Sequence, residues 1–157
     1  LYNVYRKLIP MALAEANAAT TPVDRARVLR TNDTPIMREI LRYMFDPRYV
    51  FDVTIPSYIP SKLPEGHHVA TLFTEGRRLY LFGRHSKTPV RRKAEILRQI
   101  LEIMDPQESQ LVEDIILRDM SKYPNLNVEV VNLAFPGLIP VAKPVVSNEL
   151  TPVPAAC

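Results

Sequence analysis

The chain has 157 residues, 46% hydrophobic and 24% charged, with a formal net charge of +3 and a pI near 9.1. This is the composition of a globular chain with its own core, and its mild basicity hints at a polyanionic partner. No apolar run approaches the roughly 18 residues of a membrane span, and the first residues lack the apolar stretch of a signal peptide. A soluble, cytosolic chain with no membrane partner is therefore expected. The single cysteine, Cys157, allows no internal disulfide and no cysteine-based zinc site. Residue 1 is Leu, which leaves a fragment, a processed form and a non-standard start open.

Residues 3–18 read as a helix with Val4, Leu8, Met11 and Leu13 toward one side, and Pro10 predicts a kink or a later start. Four words then place an oxygen acceptor directly before proline: Thr21-Pro22, Thr34-Pro35, Thr88-Pro89 and Asp105-Pro106. Each predicts a helix start. The side-chain oxygen can accept from a free N–H of the first turn, and proline loses nothing at the first helical position. The helices expected from them are Pro22–Arg30, Pro35–Phe45, Pro89–Met104 and Pro106–Asp119. Glu108, three residues after Asp105, completes a capping-box pattern.

Between the second and third of these words, residues 46–66 carry Pro47, Pro56, Pro60 and Pro64 among Tyr49, Val50, Phe51, Val53, Ile55, Tyr58 and Ile59. This predicts an extended apolar strap lying across the helices, with a short strand near Tyr49–Ile55 as an option. Val69, Leu72, Phe73, Gly76, Leu79 and Tyr80 recur at 3–4 spacing and predict a helix over 68–82, with Gly76 admitting a neighbouring backbone and Gly83 as the stop. A last helix is expected over 126–135, ended by Pro136-Gly137. The expected fold is all-α: a compact bundle of about six short helices in residues 1–136, crossed by the strap, with residues 137–157 leaving as a Pro-rich extended arm.

The sharpest chemical feature is basic. Arg77, Arg78, Arg84, His85, Lys87, Arg91, Arg92, Lys93 and Arg98 face a single acid, Glu95, between residues 77 and 98. They form a candidate polyanion-binding surface. The competing reading is a solvated face neutralised by Glu102, Asp105, Glu108, Glu113, Asp114 and Asp119 of the adjoining hairpin. The basic start of the Thr88-Pro89 helix runs against the macrodipole, which favours a functional reading. Tyr43, Tyr49, Phe51 and Tyr58 are expected to pack the strap onto the core, with base stacking as the alternative.

His67, His68 and His85 lack metal-ligand spacing, so no metal is expected. The carboxylates show no isolated, apolar-flanked pair of the kind that raises one of them for acid–base work. The four glycines are too scattered to cradle a phosphate. Neither a catalytic residue nor a cofactor is expected, and an enzyme is disfavoured. In the tail, Leu138, Ile139, Val141, Val145, Val146, Leu150 and Val153 alternate with prolines and form a candidate partner-docking arm, and Cys157 is a candidate intermolecular thiol.

Several short words in order resemble a family of small proteins of large contractile-tailed phages, including those of marine cyanophages. They are Arg30-Thr31-Asn32-Asp33-Thr34-Pro35, Phe45-Asp46-Pro47, Glu75-Gly76-Arg77-Arg78-Leu79-Tyr80-Leu81-Phe82, Arg91-Arg92-Lys93 and Ala134-Phe135-Pro136-Gly137-Leu138. The resemblance implies a tailed-phage origin and supplies no activity. With the apolar arm, it leads to the expectation of a non-enzymatic virion structural or assembly protein. Such a protein would contact other phage proteins or its own copies, in the host cytoplasm first and then in the virion. The rival expectation is a nucleic-acid-binding accessory of phage replication or transcription that uses the basic 77–98 surface.

Overall fold

The computed structural model describes residues 7–141, which are helical with no strand among them. The first helix, α1 (Ile9–Ala18), starts late, with Pro10 inside its first turn, and buries Ile9, Ala12, Leu13 and Ala16. Val4 and the start of that predicted helix lie outside the described residues. Helix α2 (Pro22–Thr31) begins at Thr21, whose Oγ1 accepts from Asp24 N at 3.1 Å. Helix α3 (Pro35–Phe45) begins at Thr34, whose Oγ1 accepts from Met37 N at 3.0 Å. Each such cap is worth about 1 kcal/mol. Helix α3 turns Met37, Ile40, Leu41 and Met44 inward, and burying each contributes roughly 1.5–3 kcal/mol.

The strap follows α3 in extended form. Tyr49, Phe51, Val53, Ile55 and Tyr58 pack, half-buried, against the core, as expected. The expected strand reduces to one antiparallel bridge, Phe51 to Gly83. Arg84 N donates to Val50 O and Asp52 N to Phe82 O, both at 2.7 Å.

The helix expected over 68–82 is replaced by two shorter pieces. A single turn, α4 (Leu72–Glu75), is capped by Thr71, and a 3-10 helix runs from Gly76 to Phe82. With three residues per turn, residues three apart eclipse one another. Gly76, Leu79 and Phe82 therefore form the buried row, while Arg77 and Tyr80 form an exposed one. Tyr80, placed on the apolar stripe by a 3.6-residue period, is 64% exposed. Gly76 faces a side chain rather than a backbone: a Cβ there would stand 3.2 Å from Ile36 Cγ2.

Helix α5 (Val90–Ile103) corrects the third capping word. Pro89, in extended geometry at φ −60° and ψ 147°, occupies the cap position itself, and Thr88 makes no cap. Asp105 does cap α6 (Pro106–Leu117), accepting from Gln107 N at 2.8 Å. The predicted partner in the capping box, Glu108, turns away from its own helix, as described below. Helix α6 ends two residues earlier than expected, at Leu117, and its C-cap is Arg118, the one non-glycine with positive φ among the described residues (φ 59°). Helix α7 (Val128–Ala134) is capped by Asn127 and packs on α2, which packs on α1.

Candidate functional site

Residues 48–51, the 3-10 helix and the turn before α5 line a cleft of about 670 Å3. Tyr43, Tyr49, Phe51 and Tyr80 supply its aromatic lining, and Arg48, Arg84, His85 and Lys87 its polar lining. Two separate sequence features, the strap aromatics and the basic stretch, thus meet in one place. Tyr43 is buried and holds both strap rings edge-on, with centroids 5.1 Å from Tyr49 and 5.5 Å from Phe51. Burial and the nearby Glu39 carboxylate push the Tyr43 phenol up, so it stays neutral. Tyr58 points elsewhere, donating its hydroxyl to Glu113.

The basic residues divide into three groups. Lys93 is a correction: it is 2% exposed, and its ammonium donates to Gly83 O at 3.0 Å and Asp52 O at 3.3 Å. It ties the two sides of the bridge together from beneath and offers nothing to a polyanion. Arg78 and Arg92 are paired with Glu75 at 3.0 Å and Glu95 at 3.4 Å, one turn away in each case. Arg77, Arg84, Lys87, Arg91 and Arg98 are exposed and make no ion pair among the described residues.

The acids that might have neutralised them are occupied. Glu102 accepts from Ile59 N at 3.0 Å, Glu113 from the Tyr58 hydroxyl, and Glu108 from Leu72 N at 3.1 Å. Asp105 caps its helix, Asp114 accepts from Gln110 at 3.1 Å and lies 3.6 Å from Lys122, and Asp119 accepts from Ser121 N at 3.1 Å. None of the six contacts the basic stretch. The cations therefore face solvent uncompensated, and surface pairing worth little in water would not have silenced them in any case.

Two arginines that the sequence did not single out shape the cleft. Arg48 lines it but is held by Asp46, with Nη2 to Oδ2 at 2.8 Å, and Asp46 is buried and kept well below the usual carboxylate range by that contact. Arg118, from the end of α6, donates to the carbonyls of Tyr43, Met44, Asp46 and Tyr49. It closes the open end of α3 and fixes the start of the strap. No side-chain pattern marks such a clamp, because its acceptors are backbone.

A second cluster overturns the expectation of no raised carboxylate. Glu108 is fully buried, and burial, reinforced by the neighbouring Asp105, pushes its carboxyl up to about 7. Beside it His68 Nδ1 stands 3.8 Å from Asp105 Oδ2, while Nε2 is 2.8 Å from Ser61 Oγ. Glu108 is closed off from solvent and spends Oε2 on Leu72 N, so it fastens the start of α4 rather than facing a substrate.

No family model, curated protein or solved structure matches the chain.

The docking arm is corrected at its root. Ile139 is 2% exposed and Leu138 half-buried, and Asn132 holds both backbone groups of Ile139, at 2.9 and 3.0 Å. These two side chains belong to the helical body and are not free to dock on a partner. Val141 is exposed, and Val145, Val146, Leu150, Val153 and Cys157 lie outside the described residues.

Proposed function

We propose that this chain is a non-enzymatic nucleic-acid-binding protein that holds phosphates on the surface formed by Arg77, Arg84, Lys87, Arg91 and Arg98. The observation that carries the reading is the lack of compensation. These five cations have no ion-pair partner among the described residues, while the nearby acids of α5 and α6 are engaged with the strap, a cap or their own helix. Phosphate contacts of this kind release counterions, so binding weakens steeply with salt. The resemblance to contractile-tailed-phage proteins supports an accessory role in phage replication or transcription. The test is titration of the purified chain with labelled nucleic acid at several salt concentrations. Binding that falls with salt, with a shallower slope in an R84E/R91E variant, is expected. Salt-insensitive or absent binding would overturn the proposal.

A second reading keeps the chain as a virion component that docks on neighbouring subunits through Val141 and the residues after it. It is favoured by the exposure of Val141 two residues after the anchored Ile139. Mass spectrometry of purified particles decides it: absence at structural stoichiometry removes this reading.

A further inference from the structure

The proposal above concerns phosphates; the cleft beside them adds a base. We propose that it takes one unstacked base of a single-stranded nucleic acid against the ring of Tyr80, with the adjoining phosphates on Arg84 and Lys87. This inference rests on the nucleic-acid-binding reading and narrows it to single strands.

Tyr80 carries the argument. The three-residue period of the 3-10 helix places it in a row with Arg77 and away from the buried row of Leu79 and Phe82. A large ring held 64% in solvent, lining a cleft and flanked by unpaired cations, has nothing among the described residues to cover it. Charge complementarity selects an anionic occupant, and the ring selects one with a flat face. Nucleotides in a single strand offer both. A duplex offers only base edges in its grooves and keeps the faces stacked, so Tyr80 would find no face there. The space of about 670 Å3 lies within the roughly 300–1,000 Å3 of small-ligand sites, so one nucleotide fits and a helix does not.

The cleft is also stiff on the side that matters. The Lys93 ammonium grips Gly83 O and Asp52 O beneath the bridge, and Gly83 immediately precedes Arg84. Ser86 Oγ accepts from Thr88 N at 3.2 Å, which holds the turn before α5 against the cleft. Stacking without edge readout predicts tolerance of base identity.

The experiment is fluorescence anisotropy of the full chain with labelled single-stranded oligodeoxynucleotides, with the matched duplex, inorganic polyphosphate and an acidic phosphopeptide as competitors. Y80A is expected to weaken single-strand binding about tenfold, with Y80F near wild type and polyphosphate binding unchanged. R84E/K87E is expected to weaken both ligands. Loss in R84E/K87E with no effect of Y80A would overturn the stacked base and leave the phosphate-binding surface standing. A duplex or phosphopeptide that displaces the single strand at lower concentration would also overturn the single-strand inference. No binding of any polyanion would remove both proposals. The circular dichroism melt of Y80A, an exposed position, is expected to match wild type and shows that lost binding is not lost folding.

Discussion

Residues 49–52 and 58–59 belong to one strap, yet they are fastened with opposite polarity. The first part is gripped by cations that reach backbone carbonyls: Arg118 on Tyr49 O and Lys93 on Asp52 O. The second part presents donors to carboxylates of α5 and α6, Ile59 N to Glu102 and Tyr58 to Glu113, and the start of α4 beyond it does the same, Leu72 N to Glu108. A carbonyl and an N–H are both obligatory bonding groups, and an extended segment that makes no sheet must satisfy them by other means. The consequence is a separation of charge. Carboxylates are consumed at one end of the strap, and cations are left over beside the other, where the cleft lies.

The most severe way to break the comparison is at Lys93. K93A removes two bonds and leaves a hole under the bridge, with an expected loss of about 3–4 kcal/mol in denaturant unfolding. It should also weaken the cleft's binding, although Lys93 never meets the ligand. A surface Lys would lose only the binding.

Glu108 probes the other end through pH. Its carboxyl is raised in the folded state to about 7, from an ordinary value of 4.5, so between these values the folded chain binds more protons than the unfolded one. Stability from this group is full below pH 4.5, falls as pH rises, and is lost above 7. E108Q removes that titration while keeping an oxygen for Leu72 N. It is expected to be more stable than wild type at pH 8 by up to about 3 kcal/mol, and no more stable at pH 4. A melting-temperature series across this range checks the crossing.

Arg118 separates its clamp from its backbone. R118A loses the carbonyl bonds, with an expected cost of about 2 kcal/mol. R118G loses the same bonds but relieves the left-handed conformation, and should recover about 1 kcal/mol relative to R118A. Identical unfolding midpoints for the two variants would show that the left-handed residue carries no strain.

The smallest effect is expected at Tyr58. Y58F removes the hydroxyl that Glu113 accepts and keeps the ring, for a loss of about 1 kcal/mol in urea unfolding. A much larger loss would show that the carboxylate end, not the Lys93 end, dominates the attachment of the strap.

Local grammar in the sequence was sufficient at Thr21, Thr34 and Asp105, because a cap and its N–H lie within three residues of each other. It failed at Thr88 because Pro89 adopts extended geometry and takes the cap position itself. It failed at Glu108 because the capping-box pattern cannot say that a more distant N–H, 36 residues away, competes for the same carboxylate. Tyr80 was misplaced by assuming 3.6 residues per turn where the chain uses three, and that error hid the exposed ring of the cleft. Lys93 and Arg118 were illegible as fasteners for a different reason. Their acceptors are carbonyls 10 to 75 residues distant along the chain, from Gly83 to Tyr43, and every residue has a carbonyl.

That last point bears on how such a chain can diverge. A grip on main-chain oxygen is indifferent to the side chain that carries it, so the grip itself leaves the residues at Met44 and Asp52 free to drift while Lys93 and Arg118 stay. Relatives of this protein should then be recognisable less by the words of the strap than by two basic residues, one on the first turn of a helix and one just past the end of the next.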